Sequence, residues 1–200
     1  MRLIGMLDSP YVRRTAISLR MMGLDFELSQ LSVFRNYDEF QAISPVVKAP
    51  SLVTDDGMVL MDSTLILEYA ERLAPPKGLM PHDAREHVRT LHLIGFGLAA
   101  NEKTVQMVYE KTQRPAEKQH QPWLDRVSGQ VQRAYGVLEK ETPSGWFGGA
   151  TPNQADITVA TAWRFTQSRF PDVVTVAAHA KLAAHSARAE KLPVFAEFNF

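Results

Sequence analysis

A serine and a proline stand between a short apolar run and a segment with helical spacing in MLDSPYVRRTAISL, residues 6–19. Ser9 and Pro10 are an ordinary pair at the start of a helix, because a serine side chain accepts a hydrogen bond from the first turn and proline fits where no N–H partner exists. A serine hydroxyl can also donate a hydrogen bond to a reacting group. The stretch leaves two roles open for Ser9, a helix cap or a hydroxyl that takes part in chemistry.

Two further groups combine residue types that bind ligands. Lys48 precedes Ala49 and Pro50, and Asp62 precedes Ser63 at the start of a helical segment. Each also has a plain structural interpretation: a solvated surface lysine, a proline that starts a strand, and a pair of helix-capping residues. Capping and ligand binding are compatible at an Asp–Ser pair, so both interpretations stay open there.

The composition excludes several kinds of site. The chain has no cysteine, which excludes disulfides, zinc-thiolate sites and a cysteine nucleophile, so any thiol must come with the ligand. None of the six histidines has an i, i+4 partner together with a nearby acidic ligand, and we expect no metal site. Lys plus Arg and Asp plus Glu both total 22, which argues against a nucleic-acid partner.

Length and hydropathy point to an ordinary globular chain. With 200 residues, of which 45% are hydrophobic, it can form one large domain or two small ones. No run reaches the 18 or so apolar residues that a membrane span needs, and the sequence begins without the apolar core of a signal peptide. The expectation is a cytoplasmic protein without a membrane segment.

The first part of the chain alternates between short strand-like and helix-like runs. Strand, helix and strand within about 30 residues form a βαβ unit with a parallel pair of strands. Further on, SLVT and MVLM flank the turn DDG, which indicates a β-hairpin. The order β, α, β, α, β, β, α predicts a mixed α/β domain. Its predicted elements are strands at 2–7, at 26–33 and in the hairpin, and helices at 11–23, 36–43 and 63–74.

Helical spacing also predicts which side chains face the core. In the first helix it favours Val12, Ile17 and Leu19, rather than Arg13 and Arg14. In the last helix of this part, one apolar stripe predicts the buried face. That stripe is made of Leu65, Ile66, Tyr69, Ala70 and Leu73.

A proline- and glycine-rich segment, residues 75–83, separates two regions of different character. After it the sequence shows helical spacing and no convincing strand, which predicts a helical bundle. Asn153 and Asp156 form a capping-box variant there, and replacing Asp156 should cost about 0.5–2 kcal/mol. The predicted domains are residues 1–76 and 84–200, with 77–83 as the linker.

Four stretches carry a family resemblance: SPYVRR (9–14), VVKAPSL (46–52), DGMVLMDSTLILEYAE (56–71) and NQADITVA (153–160). In this order and spacing, the chain resembles the cytosolic glutathione transferase family over nearly its whole length. The resemblance implies an α/β plus all-α fold, with a thioredoxin-like N-terminal domain around a mixed four-stranded sheet. SPYVRR is most similar to the serine-type classes, such as the plant tau class or a related bacterial class. Maleylacetoacetate isomerases usually have a different, serine-rich opening and are a minor alternative.

The resemblance implies a role for each polar candidate. The Ser9 hydroxyl is the catalytic group and points at the sulfur of glutathione, which is a co-substrate rather than a bound cofactor. Lys48 lies near the glycyl carboxylate of glutathione. Pro50 follows a cis peptide bond, and the backbone of Ala49 pairs with the cysteinyl backbone.

Further implications concern the other end of glutathione and the second substrate. Asp62 and Ser63 bind the γ-glutamyl end, while Arg14 matches a family arginine that is usually structural. A small hydrophobic electrophile is the second substrate, and a homodimer is expected. Aromatic candidates for its pocket, each with core packing as the alternative, are Phe34, Phe96, Tyr109 and Trp163.

A second function stays open beside the enzyme. Some relatives use the same scaffold as a non-catalytic glutathione-binding or protein-interaction module, because function depends on the site rather than on the fold. The joint presence of Ser9, Lys48, Pro50, Asp62 and Ser63 favours the transferase.

Overall fold

The structure is a computed structural model that describes residues 1–200. The chain forms four short β-strands and eight α-helices. The strands are β1 (Arg2–Ile4), β2 (Glu27–Ser29), β3 (Ser51–Val53) and β4 (Val59–Leu60). The helices are α1 (Pro10–Met21), α2 (Tyr37–Ile43), α3 (Ser63–Leu73), α4 (Ala84–Thr112), α5 (Gln121–Glu141), α6 (Gln154–Arg169), α7 (Ala180–Ala189) and α8 (Pro193–Glu197).

The chain divides into two compact units. The first contains Met1–Met80 together with Lys191–Phe200, and the second contains Pro81–Glu190. The division between Met80 and Pro81 falls within the segment rich in proline and glycine. Residues 191–200, expected in the helical domain, belong to the first unit instead.

A buried arginine explains where residues 191–200 pack. Arg13 on α1 donates from Nε to the carbonyl oxygen of Phe198 at 2.8 Å and from Nη2 to that of Phe195 at 3.2 Å. Its guanidinium also lies against the rings of Phe195 and Phe200, at 5.5 and 5.4 Å from their centroids. These contacts join α8 to α1.

The sheet of the first unit has the strand order β2-β1-β3-β4. β1 is parallel to β2, and β3 is antiparallel to both β1 and β4. Leu3, Ile4 and Leu52 have no exposed surface, so the centre of the sheet is core. The predicted hairpin and the mixed four-stranded sheet are confirmed.

Helix α3 presents a different face to the core from the one predicted. Ile66 and Ala70 are buried as expected, but Leu65 is 54% exposed and Leu73 is 45% exposed. Leu67 is buried in their place. The reason is that α3 packs against α1, which turns the i, i+3/i+4 row beginning at Ser63 inward.

The second unit is entirely helical, as predicted. Helix α4 packs against α5 and α6, and α6 packs against α7. Helix α6 is buried along most of its length, with Ile157, Val159 and Ala160 fully inaccessible. None of the helices in the chain combines the length and apolarity needed to cross a membrane.

The start of α6 has the predicted capping box, with additional bonds. Asn153 Oδ1 accepts from the N–H of Ala155 at 2.8 Å and of Asp156 at 3.3 Å. The Asp156 carboxylate accepts from the backbone N–H of Asn153 at 2.8 Å, of Phe147 at 2.8 Å and of Gly148 at 3.1 Å. The buried carboxylate therefore ties the loop before α6 to the first turn of the helix.

Candidate functional site

The polar candidates of the first unit lie where loops lead into α1, β3 and α3. Because β1 and β3 are antiparallel, with Ile4 opposite Ser51, the loop after β1 runs beside the loop before β3. Gly5, with φ +139°, marks the close approach: a Cβ there would lie 3.0 Å from the Cβ of Ala49 and 2.5 Å from Cγ2 of Val12. Only glycine fits, and the two loops meet at this point.

Ser9 is the N-cap of α1, and it caps weakly. Its Oγ accepts from the N–H of Val12 at 3.4 Å, which is long for a hydrogen bond. The residue is half-buried, and its hydroxyl hydrogen has no acceptor within the protein. The capping interpretation is confirmed, and the hydroxyl keeps its capacity to donate to a ligand.

The loop before β3 offers backbone hydrogen-bonding groups. The Ala49–Pro50 peptide bond is cis, as the resemblance implied. The Ser51 hydroxyl donates to the carbonyl oxygen of Lys48 at 2.8 Å. The N–H and C=O of half-buried Ala49 take part in no hydrogen bond of the loop or the sheet, so both are available to an extended ligand.

Lys48 and Asp62, expected at opposite ends of a ligand, lie together in the structure. Asp62 is the N-cap of α3, and its Oδ1 accepts from the N–H of Thr64 at 2.9 Å. Its Oδ2 is 3.5 Å from Lys48 Nζ. Both side chains are about half exposed, so this pair contributes at most about 1 kcal/mol.

Ser63, the first residue of α3, has Arg14 as its partner, a residue expected to be structural. Arg14 Nη1 donates to Ser63 Oγ at 3.0 Å, and both residues are almost fully buried. Desolvation lowers the pKa of Arg14 to about 10, against the opposing electrostatic effects of Tyr11 and Asp62. The guanidinium therefore stays charged at neutral pH.

The burial of Arg13 and Arg14 corrects the predicted face of α1. Both side chains are enclosed because each finds hydrogen-bond acceptors far away in sequence, the carbonyls near residue 198 and the Ser63 hydroxyl. One local signal existed: Arg14 lies three residues before the buried Ile17, which places it on the same face of the helix.

The aromatic candidates for a second-substrate pocket occupy different environments. Phe34 follows β2 and is 53% exposed. Phe96 on α4 is half-buried, with its ring edge-on to His92 at 5.0 Å. Tyr109 is 45% exposed and lies about 20 Å further along α4. Trp163 is 4% exposed and packs edge-on against Tyr135 at 5.3 Å, which is the core role weighed for it.

Two family models match the chain. One describes the N-terminal domain of glutathione S-transferases and matches residues 3–78, and the other describes their C-terminal domain and matches residues 121–188. An uncharacterized GST-like protein of Escherichia coli, YibF, is 30% identical over 81% of this chain and 80% of its own length. A maleylacetoacetate isomerase of Pseudomonas aeruginosa is 26% identical over 72% of this chain and 71% of its own.

Solved structures resemble the whole chain. A glutathione S-transferase of Methylobacterium radiotolerans, in complex with glutathione sulfonate, has a TM-score of 0.91 at 27% identity and covers 98% of this chain and 92% of its own. A glutathione transferase family member of Pseudomonas fluorescens, with bound glutathione, has a TM-score of 0.87 at 29% identity and covers 99% and 98%. Both neighbours contain glutathione or a derivative of it.

Proposed function

Because the chain belongs to the glutathione S-transferase family, we propose that it activates the thiol of glutathione as a thiolate for attack on a hydrophobic electrophile. The observation that carries the proposal is the state of Ser9: it starts a helix, its cap bond is weak, and its hydroxyl hydrogen has no acceptor in the protein. A thiolate beside it would accept that hydrogen bond.

The helix N-terminus and the Ser9 hydroxyl together supply enough free energy to lower the pKa of the glutathione thiol. Lowering a thiol pKa from about 8.5 to about 6.5 takes roughly 2.7 kcal/mol in favour of the charged form. A helix N-terminus supplies up to about 2 kcal/mol, and a hydrogen bond to a charged acceptor about 1.5–3 kcal/mol. The two together suffice, whereas the helix alone would be marginal.

The remaining residues of the site hold glutathione along its length in this proposal. Ala49 pairs its free N–H and C=O with the cysteinyl backbone. Ser63 and the N-terminus of α3 bind the γ-glutamyl carboxylate. Lys48 and Asp62, now paired with each other at 3.5 Å, exchange that contact for the glycyl carboxylate and the γ-glutamyl ammonium of the ligand.

The thiolate then forms a bond from sulfur to the electrophile. With an aryl halide, the halide leaves and the thiol proton passes to solvent. With an organic peroxide, sulfur bonds to one oxygen, the O–O bond breaks, and the other oxygen leaves as an alkoxide that takes up a proton. A second glutathione then attacks the resulting sulfenic acid and gives glutathione disulfide and water. Glutathione-dependent isomerisation is a second candidate, favoured by the similarity to maleylacetoacetate isomerase. The two are distinguished by glutathione itself, which conjugation consumes and isomerisation regenerates.

A cytoplasmic homodimer belongs to the same proposal. Apolar side chains are exposed on α3, at Leu65 and Leu73, and on α4, at Val88 and Leu91. Side chains of this kind are the usual material of an interface core. Light scattering during size-exclusion chromatography should give the mass of two chains, and the mass of one chain at all concentrations would contradict a dimer.

The test is a pH titration of the ultraviolet thiolate absorbance of bound glutathione, in the parent and in Ser9→Ala. Retention on immobilised glutathione comes first, since a protein that does not bind is an interaction module of another kind. We expect a thiol pKa about 2 units below that of free thiol in the parent, and a clear rise in the variant. Ser9→Thr, which keeps a hydroxyl, is the matched control. Identical titration curves for the parent and Ser9→Ala would mean that Ser9 is only a helix cap.

A further inference from the structure

Arg14 is a buried cation directly behind the first residue of α3. It is 1% exposed, and its Nη1 donates to Ser63 Oγ at 3.0 Å. Its Nε has no hydrogen-bond partner. Burying a charge with incomplete hydrogen bonding is costly, and α1 could have placed an apolar side chain here. The arrangement calls for a role beyond packing.

The chemistry of guanidinium fixes the direction of the Ser63 hydroxyl. Guanidinium only donates hydrogen bonds, so Ser63 Oγ must accept from Arg14. The hydroxyl hydrogen of Ser63 then points elsewhere, and no acceptor for it exists within the protein. Ser63 is thereby held as a donor at the N-terminus of α3, where the helix also favours an anion.

The charges of the site can be matched one by one to those of glutathione. Lys48 and Asp62, 3.5 Å apart, turn to the glycyl carboxylate and the γ-glutamyl ammonium in the proposed function. Arg14 is then the cation that remains for the γ-glutamyl carboxylate, which it reaches through Ser63. The arrangement therefore favours an anionic group at this point rather than a neutral one.

We propose that Arg14 is a positioning residue: through Ser63, it makes the site select a ligand that carries a carboxylate at its γ-glutamyl end. This inference rests on the proposed function, because that function supplies glutathione as the ligand. Arg14 touches Ser63 rather than the ligand, and its effect is on binding rather than on the reacting sulfur.

The chain supplies a matched control in Arg13. It lies on the same helix and is equally buried, but it donates to the carbonyl oxygens of Phe195 and Phe198. Replacing it removes a buried arginine without removing the partner of Ser63. Any general effect of loosening α1 should appear in Arg13→Met as much as in Arg14→Met.

The experiment compares two ligands by titration calorimetry: glutathione, and γ-aminobutyryl-cysteinyl-glycine, which lacks only the γ-glutamyl carboxylate. The parent should bind glutathione more tightly than the analogue. Arg14→Met should weaken glutathione about tenfold or more and leave the analogue within about twofold. Arg13→Met should lower the melting temperature and keep the parent's ratio between the ligands. Arg14→Lys, which restores a charged donor, should recover part of the loss.

Kinetics and a double variant separate positioning from structure. The KM for glutathione should rise in Arg14→Met while kcat at saturation stays within about threefold. In a Ser63→Ala background, Arg14→Met should add less than about a twofold loss of affinity for glutathione, because the hydroxyl through which Arg14 acts is already absent. Equal weakening of both ligands, a similar loss of selectivity in Arg13→Met, or independent effects in the double variant would overturn the inference.

A measurement on the parent covers the case in which Arg14→Met does not fold. The parent is labelled with 15N at arginine, and the guanidinium signal of Arg14 is assigned as the one that is absent from Arg14→Lys. In the parent, that signal should shift when glutathione binds and stay in place when the analogue binds. A signal that moves equally with both overturns the inference. A parent that binds no glutathione overturns the proposed function as well, whereas a parent that binds it with an indifferent Arg14 overturns the inference alone.

Discussion

Helices α1 and α6 both begin with a polar side chain that accepts hydrogen bonds from the first turn, but the two caps use their capacity differently. At α6, the buried Asn153 and Asp156 accept five bonds from backbone N–H groups, and Asp156 alone accepts three. At α1, half-buried Ser9 accepts one bond at 3.4 Å and donates none within the protein.

The difference teaches how a cap that holds the fold can be distinguished from a cap that can also bind. Saturated acceptors inside the core leave nothing for a ligand, and losing them leaves buried donors unpaired. A weak cap at a partly exposed helix start contributes little to stability, and its hydroxyl can still donate a hydrogen bond to a ligand. Substitutions at α6 should therefore change stability, and substitutions at Ser9 should change turnover.

The largest effect should come from Asp156→Ala. Three backbone N–H groups lose their carboxylate, two of them in buried surroundings, and we expect the free energy of unfolding to fall by about 3 kcal/mol or more. This exceeds the 0.5–2 kcal/mol predicted from a cap alone. Urea denaturation measures it, with Asp83→Ala as the control, because exposed Asp83 caps α4 through only two N–H groups. Equal losses in the two variants would remove the distinction between saturated and ordinary caps.

A pH effect of similar size should come from His185, beside the α6 cap. The ring is fully buried, with Nε2 3.6 Å from Asp156 Oδ1. Burial lowers the pKa of His185 from 6.5 to about 4, with the backbone of Asp156 acting in the opposite direction and the charge of Arg188 in the same one. Between these values the unfolded chain binds a proton that the folded chain does not. Stability should therefore fall by up to about 3 kcal/mol as the pH drops from 6.5 to 4.

The matched variant for this pH effect is His185→Gln, which should lose less stability over the same range. Burial raises the pKa of Asp156, which works in the opposite sense, since a raised carboxyl pKa adds stability on acidification. That contribution is present in both proteins, so the difference between their denaturation midpoints isolates His185. Parallel profiles for the two proteins would mean that His185 does not control the acid limb.

The third effect concerns Ser9, the cap of α1. Ser9→Ala should lower turnover with a generic aryl halide about 10- to 150-fold, which corresponds to about 1.5–3 kcal/mol for a hydrogen bond to a charged acceptor. The urea midpoint should barely change, because the cap bond it loses is long. Turnover within twofold of the parent, or a large loss of stability, would mean that Ser9 is a structural cap, as Asn153 and Asp156 are at α6.

The smallest effect should come from Lys48→Met. Its pair with Asp62 is half-exposed, so stability should stay within about 0.5 kcal/mol of the parent. The affinity for glutathione should fall a few-fold at low salt, and the difference should shrink at 1 M salt, where the screening length is about 3 Å. Calorimetric titrations at two salt concentrations measure this. A difference that persists at high salt would place Lys48 in a more enclosed contact than the structure shows.

The sequence predicts what depends on neighbours along the chain. The order of strands and helices, the hairpin at DDG and the capping box at Asn153 follow from local spacing, and the structure confirms them. Ser9 was recognised as a candidate for the same reason, since a Ser–Pro pair marks a helix start. The role of that residue in chemistry came from resemblance and stays a prediction.

What the sequence does not predict depends on partners far along the chain. Arg13 and Arg14 look like surface residues until the acceptors near residues 198 and 63 are in place. The exposed side of α3, with Leu65 and Leu73, depends on how that helix packs against α1. Hydrophobic spacing describes an element by itself, and it carries no information about a hydrogen-bond partner supplied by another element.

The bonds from Arg13 to residues 195 and 198 also have a consequence for how the protein is made. The first unit needs Lys191–Phe200, yet the whole second unit is encoded in between. At a synthesis rate of about 5–20 residues per second, the ribosome spends roughly 5 to 20 s on the intervening stretch. During that interval the Arg13 guanidinium of α1 lacks its carbonyl acceptors at residues 195 and 198. The second unit can therefore complete its fold before the first unit, although the first unit begins the chain.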